Sequence, residues 1–227
     1  MKATFRDYEM DTNEVRSSRQ EPQPRTRLYK PVGKRLLDIT LVLLALPAAA
    51  PIILIAAAVV MLDGANPFYF QKRVGFGNRT FWMVKLRSMV PNAEERLGRH
   101  LNENPAARAE WDDKQKLTND PRITAVGRII RKFSIDELPQ LWNVLSGDMS
   151  LVGPRPMMPE QRTLYPGSAY YRMRPGLTGP WQVSDRNDCS FAHRAVFDEQ
   201  YERTCSVQTD LKLMLDTVSV VFKGTGC

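Results

Sequence analysis

Hydrophobic residues are distributed unevenly along this chain of 227 residues. Residues 1–30 are polar, rich in charge and poor in aliphatic side chains, which is typical of a disordered tail. Residues 39–62, by contrast, contain no charged residue, and this length meets the criterion for a membrane helix. The pattern therefore predicts a polar tail, a membrane segment over residues 31–66 and a larger domain over residues 67–227.

Two features of the apolar segment argue against a simple span. Pro47 and Pro51 lie within it, and each removes a backbone donor that a helix needs. Basic residues also flank it on both sides, with five in residues 25–35 and five in residues 72–87. Because such residues favour the cytoplasmic side, a helix that breaks at the prolines and returns to the same face satisfies both groups. A single span and a buried helix are the alternatives.

Residues 67–89 have the pattern of a β-hairpin. Two runs rich in aromatic and β-branched residues flank the turn sequence GFGN. On the return strand Trp82, Val84 and Leu86 share one face, and Lys85 and Arg87 share the other. Two cations on one rigid strand indicate either an anion-binding site or an ordinary solvated face.

The C-terminal part of the chain is predicted to be helical. Over residues 191–222 the apolar side chains recur at helical spacing, which indicates a face that packs in the core or lies at the membrane. The residues of this stripe are Leu211, Met214, Leu215 and Val218.

Composition restricts the partners and the compartment. The formal net charge of +7 favours anionic partners such as phosphorylated small molecules, anionic lipid or nucleic acid. The three cysteines form no CxxC motif, which indicates a reducing compartment without a zinc site.

The most informative stretch is residues 134–156, which begins with an adjacent acid pair, Asp136 and Glu137. Ser134 and Glu137 have the spacing of a capping box, whereas Pro139 fits better if Asp136 is the helix cap. In either arrangement one carboxylate lies at the positive end of a helix with free lone pairs. The apolar face of that helix is expected to comprise Leu138, Leu141, Trp142 and Leu145.

Arginines near this acid pair indicate phosphate chemistry. Arg131 precedes the pair, Arg155 lies between two prolines, and Arg174 begins a proline-glycine turn. Arginine offers bidentate contacts to phosphate oxygens, and Mg²⁺ takes one or two carboxylates together with substrate phosphates. An aspartate that forms an acyl phosphate is a known covalent catalyst.

These motifs resemble the bacterial sugar transferases, which are monotopic polyprenyl-phosphate phosphoglycosyl transferases, and in particular the short members that initiate exopolysaccharide synthesis. The resemblance extends from about residue 31 nearly to the C-terminus. The matching stretches are KRLLD at 34–38, the proline-containing apolar segment, FQKRVGFGNRTFWMVKLRSM at 70–89, NDPRITAVGRIIRKFSIDELPQLWNVLSGDMSLVGPRP at 119–156 and RPGLTGPWQVSDR at 174–186.

The resemblance implies transfer of a sugar 1-phosphate from a UDP-sugar to undecaprenyl phosphate, with release of UMP. It implies Asp136 as nucleophile and Asp136 with Glu137 as the Mg²⁺ ligands. The basic residues implied to contact phosphate are Lys85, Arg87, Arg131 and Arg155, and the turn at Arg174 adds a fifth. Implied partners are the two substrates and downstream glycosyltransferases, with a homodimer left open and no nucleic acid.

The resemblance also implies an α+β fold, mostly helical. A re-entrant helix-break-helix at Pro47 and Pro51 would precede a compact catalytic domain with a small β-hairpin and amphipathic interfacial helices. This domain would lie on the cytoplasmic face of the bacterial inner membrane. Two positions depart from the family pattern: Ala50 replaces a serine at the break, and Asp185 replaces a frequent glycine.

Two other classes of protein are weighed against this interpretation. A membrane-anchored nucleic-acid-binding protein would place exposed aromatic residues among its basic residues, whereas these arginines lie in proline-bounded loops near acids. A metal-dependent phosphodiesterase that uses water would release free sugar phosphate without a covalent intermediate.

Overall fold

A computed structural model describes residues 29–114, 117–184 and 191–222 of the chain. The expected polar tail lies outside these ranges except for its last two residues, and so does Asp185. The described part is mostly helical, with two small sheets of two strands each, as predicted in outline. Its helices are α1 (Lys34–Val60), α2 (Ala93–Glu103), α3 (Pro105–Lys114), α4 (Ala125–Lys132), α5 (Leu141–Ser146), α6 (Pro180–Val183), α7 (Arg194–Thr204) and α8 (Val207–Phe222); its strands are β1 (Phe68–Val74), β2 (Thr80–Leu86), β3 (Ser150–Val152) and β4 (Gly176–Thr178).

The predicted hairpin is confirmed as the antiparallel pair β1 and β2. Its turn includes Gly77 at φ +64°, a left-handed conformation that glycine adopts without steric cost. On β2 the face with Phe81 and Met83 packs into the core, whereas Trp82 on the other face is 56% exposed. Lys85 therefore lies on the inward face.

Helix α1 remains helical through both prolines, in place of two helices separated by a break. Asp38, Val42, Ala49, Ala57 and Val60 form its buried seam, at the spacing of one helix face. The opposite face is apolar and exposed, and α1 is long and apolar enough to cross a membrane.

Both ends of α1 contact the rest of the protein. Near its start, Asp38 accepts hydrogen bonds from the Ser150 hydroxyl at 2.8 Å and from the Leu151 amide at 3.0 Å. At its other end, Val60 packs in one cluster with Leu86. Between these ends, Val42 and Ala49 pack in one cluster with Phe81 and Leu141, so α1 contacts the domain along its length.

The apolar stripe predicted for the C-terminal helix does not form its buried face. Leu211, Leu215 and Val218 are 43%, 69% and 51% exposed. The inner face of α8 instead carries Leu213 and the buried carboxylate of Asp210. Apolar periodicity therefore predicted the helix but not which of its faces is buried. It also gave no sign of Asp210, because a buried carboxylate does not contribute to an apolar pattern.

Candidate functional site

The two adjacent acids lie on a turn of 3₁₀-helix, Ile135–Gln140, that precedes α5. Neither predicted cap is formed. Ser134 adopts a left-handed conformation at φ +54° and its side chain makes no capping hydrogen bond, while Asp136 lies five residues before α5 begins. The tighter turn accommodates Pro139, and it leaves the Glu137 carboxylate to bond elsewhere.

The predicted apolar face of this segment is only partly correct. Leu141 is buried, but Trp142 is 67% exposed, and Val144 occupies the core position instead. The 3₁₀ turn before α5 rotates the following residues relative to a continuous α-helix, because the two helices differ in residues per turn.

Lys85 joins the hairpin to the acid pair. Its ammonium group lies 2.8 Å from Glu137 Oε1 and 3.9 Å from Asp136 Oδ2. The inward face of β2 carries it there, beside Phe81 and Met83. One cation therefore contacts both carboxylates, and the role of Lys85 in phosphate binding stays a prediction.

Asp136 is only 6% exposed, and burial raises its pKa above the usual range of an aspartate. The charge of Lys85 opposes this shift most strongly, and the more distant charge of Arg131 opposes it further. Burial in turn lowers the pKa of Arg131. The carboxylate is thus poorly hydrated, which makes it more reactive, and nearby cations favour its ionised form.

The loop that carries Arg155 is fixed by the parallel pairing of β3 and β4. The Gly153 amide donates to the Thr178 carbonyl, and the Gly176 amide donates to the Pro154 carbonyl, both at 2.8 Å. A Cβ added to Gly176 would lie 2.1 Å from the Gly153 nitrogen, so this approach requires glycine. The pairing holds Arg155 rigidly beside the acid pair.

These parts enclose an open cleft with an empty volume of about 290 Å³. Three of the predicted residues line it: Lys85, Glu137 and Arg155. Sequence reasoning missed three polar residues that also line it: Arg73, Gln140 and Gln182. The cleft is lined by the Glu137 carboxylate, the Lys85 ammonium and the guanidinium groups of Arg73 and Arg155, whereas Asp136 lies buried next to Glu137, outside the lining. This arrangement can bind a phosphate ester close to a candidate nucleophile.

The missed residues differ in how visible they were in the sequence. Arg73 lies inside a matching motif but was counted only among the basic flanks of the membrane segment. Gln182 lies in a second motif, where an uncharged side chain gave no electrostatic signal. Arg194, whose guanidinium lies 4.1 Å from the Trp181 ring centroid, belongs to no motif and could be found only from the fold.

Three predicted arginines lie outside the lining of the cleft. Arg131, on α4, acts on Asp136 electrostatically and donates through Nε to Ser88 at 2.7 Å. Arg87 donates to backbone carbonyls that include Val60 at 3.2 Å, so it braces the end of α1. Arg174 donates to the Gly147 carbonyl at 2.9 Å. Only Arg131 contributes to the field at the acid pair.

The donor set of Asp136 and Glu137 fits Mg²⁺. This ion takes few protein carboxylates and completes its shell with water and substrate phosphate oxygens. Within residues 29–114, 117–184 and 191–222 no group of three His, Cys, Asp or Glu side chains could hold a metal. Two carboxylates beside an open cleft therefore suit a substrate-linked magnesium ion rather than a closed structural site.

Comparison with known proteins identifies the family of this chain. The family profile described as "Bacterial sugar transferase" matches residues 29–224. A protein of Sinorhizobium fredii named "Exopolysaccharide production protein ExoY" is 42% identical over 207 residues, which cover 88% of this chain and 92% of that protein.

Two longer relatives match the chain over part of their length. The "UDP-galactose-lipid carrier transferase" of Erwinia amylovora is 46% identical over 195 residues, or 85% of this chain and 41% of the relative. The "Undecaprenyl-phosphate galactose phosphotransferase" of Salmonella typhimurium matches with the same identity and coverage. The chain thus spans about two fifths of these proteins.

Proposed function

The chain belongs to the bacterial sugar transferase family, and we propose that it transfers a sugar 1-phosphate from a UDP-sugar to undecaprenyl phosphate and releases UMP. The observation that carries the proposal is the contact of Lys85 with both Asp136 and Glu137 at the wall of a cleft that Arg155 also lines. The name of the Salmonella relative contains undecaprenyl phosphate and that of the Erwinia relative contains UDP-galactose, which supports these two classes of substrate.

The reaction proceeds in two displacements at one phosphorus atom. A carboxylate oxygen of Asp136 attacks the phosphorus that bears the sugar, and the bond to the bridging oxygen breaks as UMP leaves. A phosphate oxygen of the lipid then attacks the same phosphorus, and the Asp136 carboxylate is regenerated. Lys85 keeps Asp136 ionised and Glu137 orients Lys85. A bound Mg²⁺ supplies charge neutralisation for the phosphate oxygens.

We further propose that α1 enters the cytoplasmic membrane, bends at Pro47 and Pro51 while remaining helical, and returns to the cytoplasmic face. The contacts of both helix ends with one domain support this, since a domain that follows the helix throughout cannot lie on one side of a spanning helix. Only 17% of the most apolar 18-residue window is buried, which leaves an apolar surface for lipid. A cleft at headgroup depth can receive both a soluble nucleotide sugar and a lipid phosphate.

The transfer reaction predicts UMP release that depends on three components. With a panel of UDP-sugars, undecaprenyl phosphate and Mg²⁺, at least one sugar is expected to give continuous UMP release and a labelled lipid. Without lipid, release should stop at about one UMP per enzyme, because the intermediate accumulates. Excess chelator should reduce release to background. Free sugar phosphate formed without lipid would instead indicate a phosphodiesterase that uses water.

The membrane arrangement predicts the accessibility of two introduced cysteines. In a background without the three native cysteines, Arg25→Cys and Glu95→Cys should both be shielded from an impermeant thiol reagent added to the periplasmic side. Both should react once the cells are permeabilised, which controls for intrinsic reactivity. Labelling of one position alone in intact cells would establish a spanning helix.

A further inference from the structure

A cluster of arginines lies in and beside the cleft that Glu137 also lines. Arg73 and Arg155 line the cleft, and Arg155 and Arg194 lie against the same indole ring, 5.7 Å and 4.1 Å from the centroid of Trp181. Each of the two cation–π contacts stabilises its guanidinium group only modestly. The Arg73 guanidinium also donates hydrogen bonds to the Pro156 carbonyl and to Gln71 Oε1. Three like charges are therefore held close together by neutral partners.

The cluster lacks a matching set of acids. Within the described part of the chain, Arg73, Arg155 and Arg194 form no ion pair shorter than 4 Å. Burial, followed by the charge of Arg155, lowers the pKa of Arg73 to about 10 and that of Arg194 to about 9. Asp198 attracts Arg194, but burial raises the pKa of this aspartate to about 7, so its countercharge is weakened.

Polar atoms beside the cluster are also without partners. Gln140 and Gln182 are 2% and 6% exposed and line the cleft. Among the residues that the structure describes, the Gln140 amide nitrogen and both terminal atoms of Gln182 make no hydrogen bond, and neither do the Nε atoms of Arg73 and Arg194. A buried polar group without a partner is unfavourable, and a bound polar ligand would supply the missing hydrogen bonds.

We propose that Arg73, Arg155 and Arg194, with Gln182, form a leaving-group subsite that holds the phosphate of the nucleoside monophosphate. The inference rests on the proposed function, because it assigns the two phosphates of a diphosphate substrate to two sets of side chains around one cleft. The sugar-bearing phosphate lies at Asp136 and Lys85. The nucleotide phosphate lies at the guanidinium cluster.

The chemistry of the first displacement explains this division. A bond forms between the Asp136 oxygen and phosphorus, and the bond from that phosphorus to the bridging oxygen breaks. Its electron pair stays on the bridging oxygen, so the departing nucleotide phosphate gains one negative charge. Preorganised cations stabilise the transition state most where charge develops. We assign contact with the oxygens of the departing phosphate to Arg73 and Arg155, which line the cleft. Arg194 is a positioning residue that acts through Trp181 and through its charge.

The subsite is tested by direct binding of UMP. Isothermal titration of UMP with Mg²⁺ into the Asp136→Asn protein removes any dependence on turnover. Adding Arg73→Gln is expected to weaken UMP binding by about 10- to 100-fold, the effect of one charged hydrogen bond. Adding Arg194→Gln, which removes a nearby charge without removing a direct contact, is expected to weaken it by about 10-fold. Arg203→Gln, on the exposed side of the same helix α7, should leave binding unchanged. Arg73→Lys and Arg194→Lys should recover part of the affinity, which a misfolded protein would not do.

The two half-reactions separate this role from a structural one. In the Asp136-containing protein, Arg194→Gln should slow UMP release in the first displacement by a similar factor. It should leave the transfer of a preformed enzyme-bound sugar phosphate to the lipid within about twofold. Unchanged UMP affinity in both glutamine variants would overturn the subsite while leaving the transfer reaction intact. Turnover retained by Asp136→Asn would overturn the transfer mechanism and leave the UMP affinities interpretable.

Discussion

The Asp136→Asn variant is expected to lose at least about 10³-fold in turnover, which is the scale of effect seen when a covalent nucleophile is removed. The asparagine side chain has nearly the same volume, but its amide carries no charge and does not attack phosphorus. With a UDP-sugar labelled in the sugar, the wild-type protein should retain label after denaturation when lipid is absent. The variant should retain none.

The same substitution should not destabilise the fold. Because burial raises the pKa of Asp136, the folded protein favours the protonated carboxyl, which contributes stability below the pKa of an aspartate in the unfolded chain and loses that contribution as the pH rises through the folded-state pKa. At neutral pH the neutral amide should therefore give an equal or higher Tm. Lys85 keeps its contact with Glu137 at 2.8 Å.

An aspartate remote from the cleft serves as the matched control. Asp112→Asn, at an exposed position on α3, should preserve both turnover and covalent labelling. Label retained by the Asp136→Asn protein would remove Asp136 as the nucleophile and transfer that role to another side chain of the cleft.

The local features of the site could be predicted from the sequence because short-range chemistry determines them. The turn sequence GFGN between two β-rich runs specified the hairpin, and strand alternation placed Lys85 opposite Trp82. The motif containing the acid pair and the proline-bounded Arg155 identified the family. Once these two segments pack, the contact between Lys85 and Glu137 follows.

The direction of each apolar face could not be predicted in the same way. Alternation distinguishes the two faces of β2 but does not say which one is buried. The exposed Trp82, Trp142 and Leu215 are as hydrophobic as core residues. A protein that contacts lipid has apolar residues on its surface as well as in its core, so hydrophobicity loses its ordinary meaning as a signal of burial.

Polar contacts between residues far apart in the sequence could not be predicted. Arg73 and Arg194 are more than one hundred residues apart, and only the fold brings the charge of Arg73 close enough to lower the pKa of Arg194. No spacing rule covers such a pair. The same holds for the contact of Lys34 with Asp210, which joins the first and last described helices at 2.5 Å.

The largest effect on stability is expected for Asp210→Ala. The carboxylate of Asp210 is 1% exposed and accepts hydrogen bonds from the hydroxyls of Tyr29 and Tyr201 at 2.6 and 2.5 Å, and from the Lys34 ammonium. Alanine would leave a buried cation and two hydroxyl groups without this partner. Removing one member of a buried ion pair costs about 3–5 kcal/mol. For a chain of this length, the Tm in detergent should fall by roughly 10 °C.

Two variants separate the loss of the carboxylate from other effects of substitution on α8. Asp216→Ala, on the exposed face of the same helix, should leave the Tm within about 2 °C, because surface substitutions usually change stability by under 0.5 kcal/mol. Asp210→Asn keeps one acceptor oxygen and should give an intermediate Tm. Since Lys34 begins α1, the alanine variant should also destabilise the start of α1, which would be measured as faster amide exchange near residue 34. A Tm equal to that of the Asp216→Ala control would show that Asp210 does not hold α1 to α8.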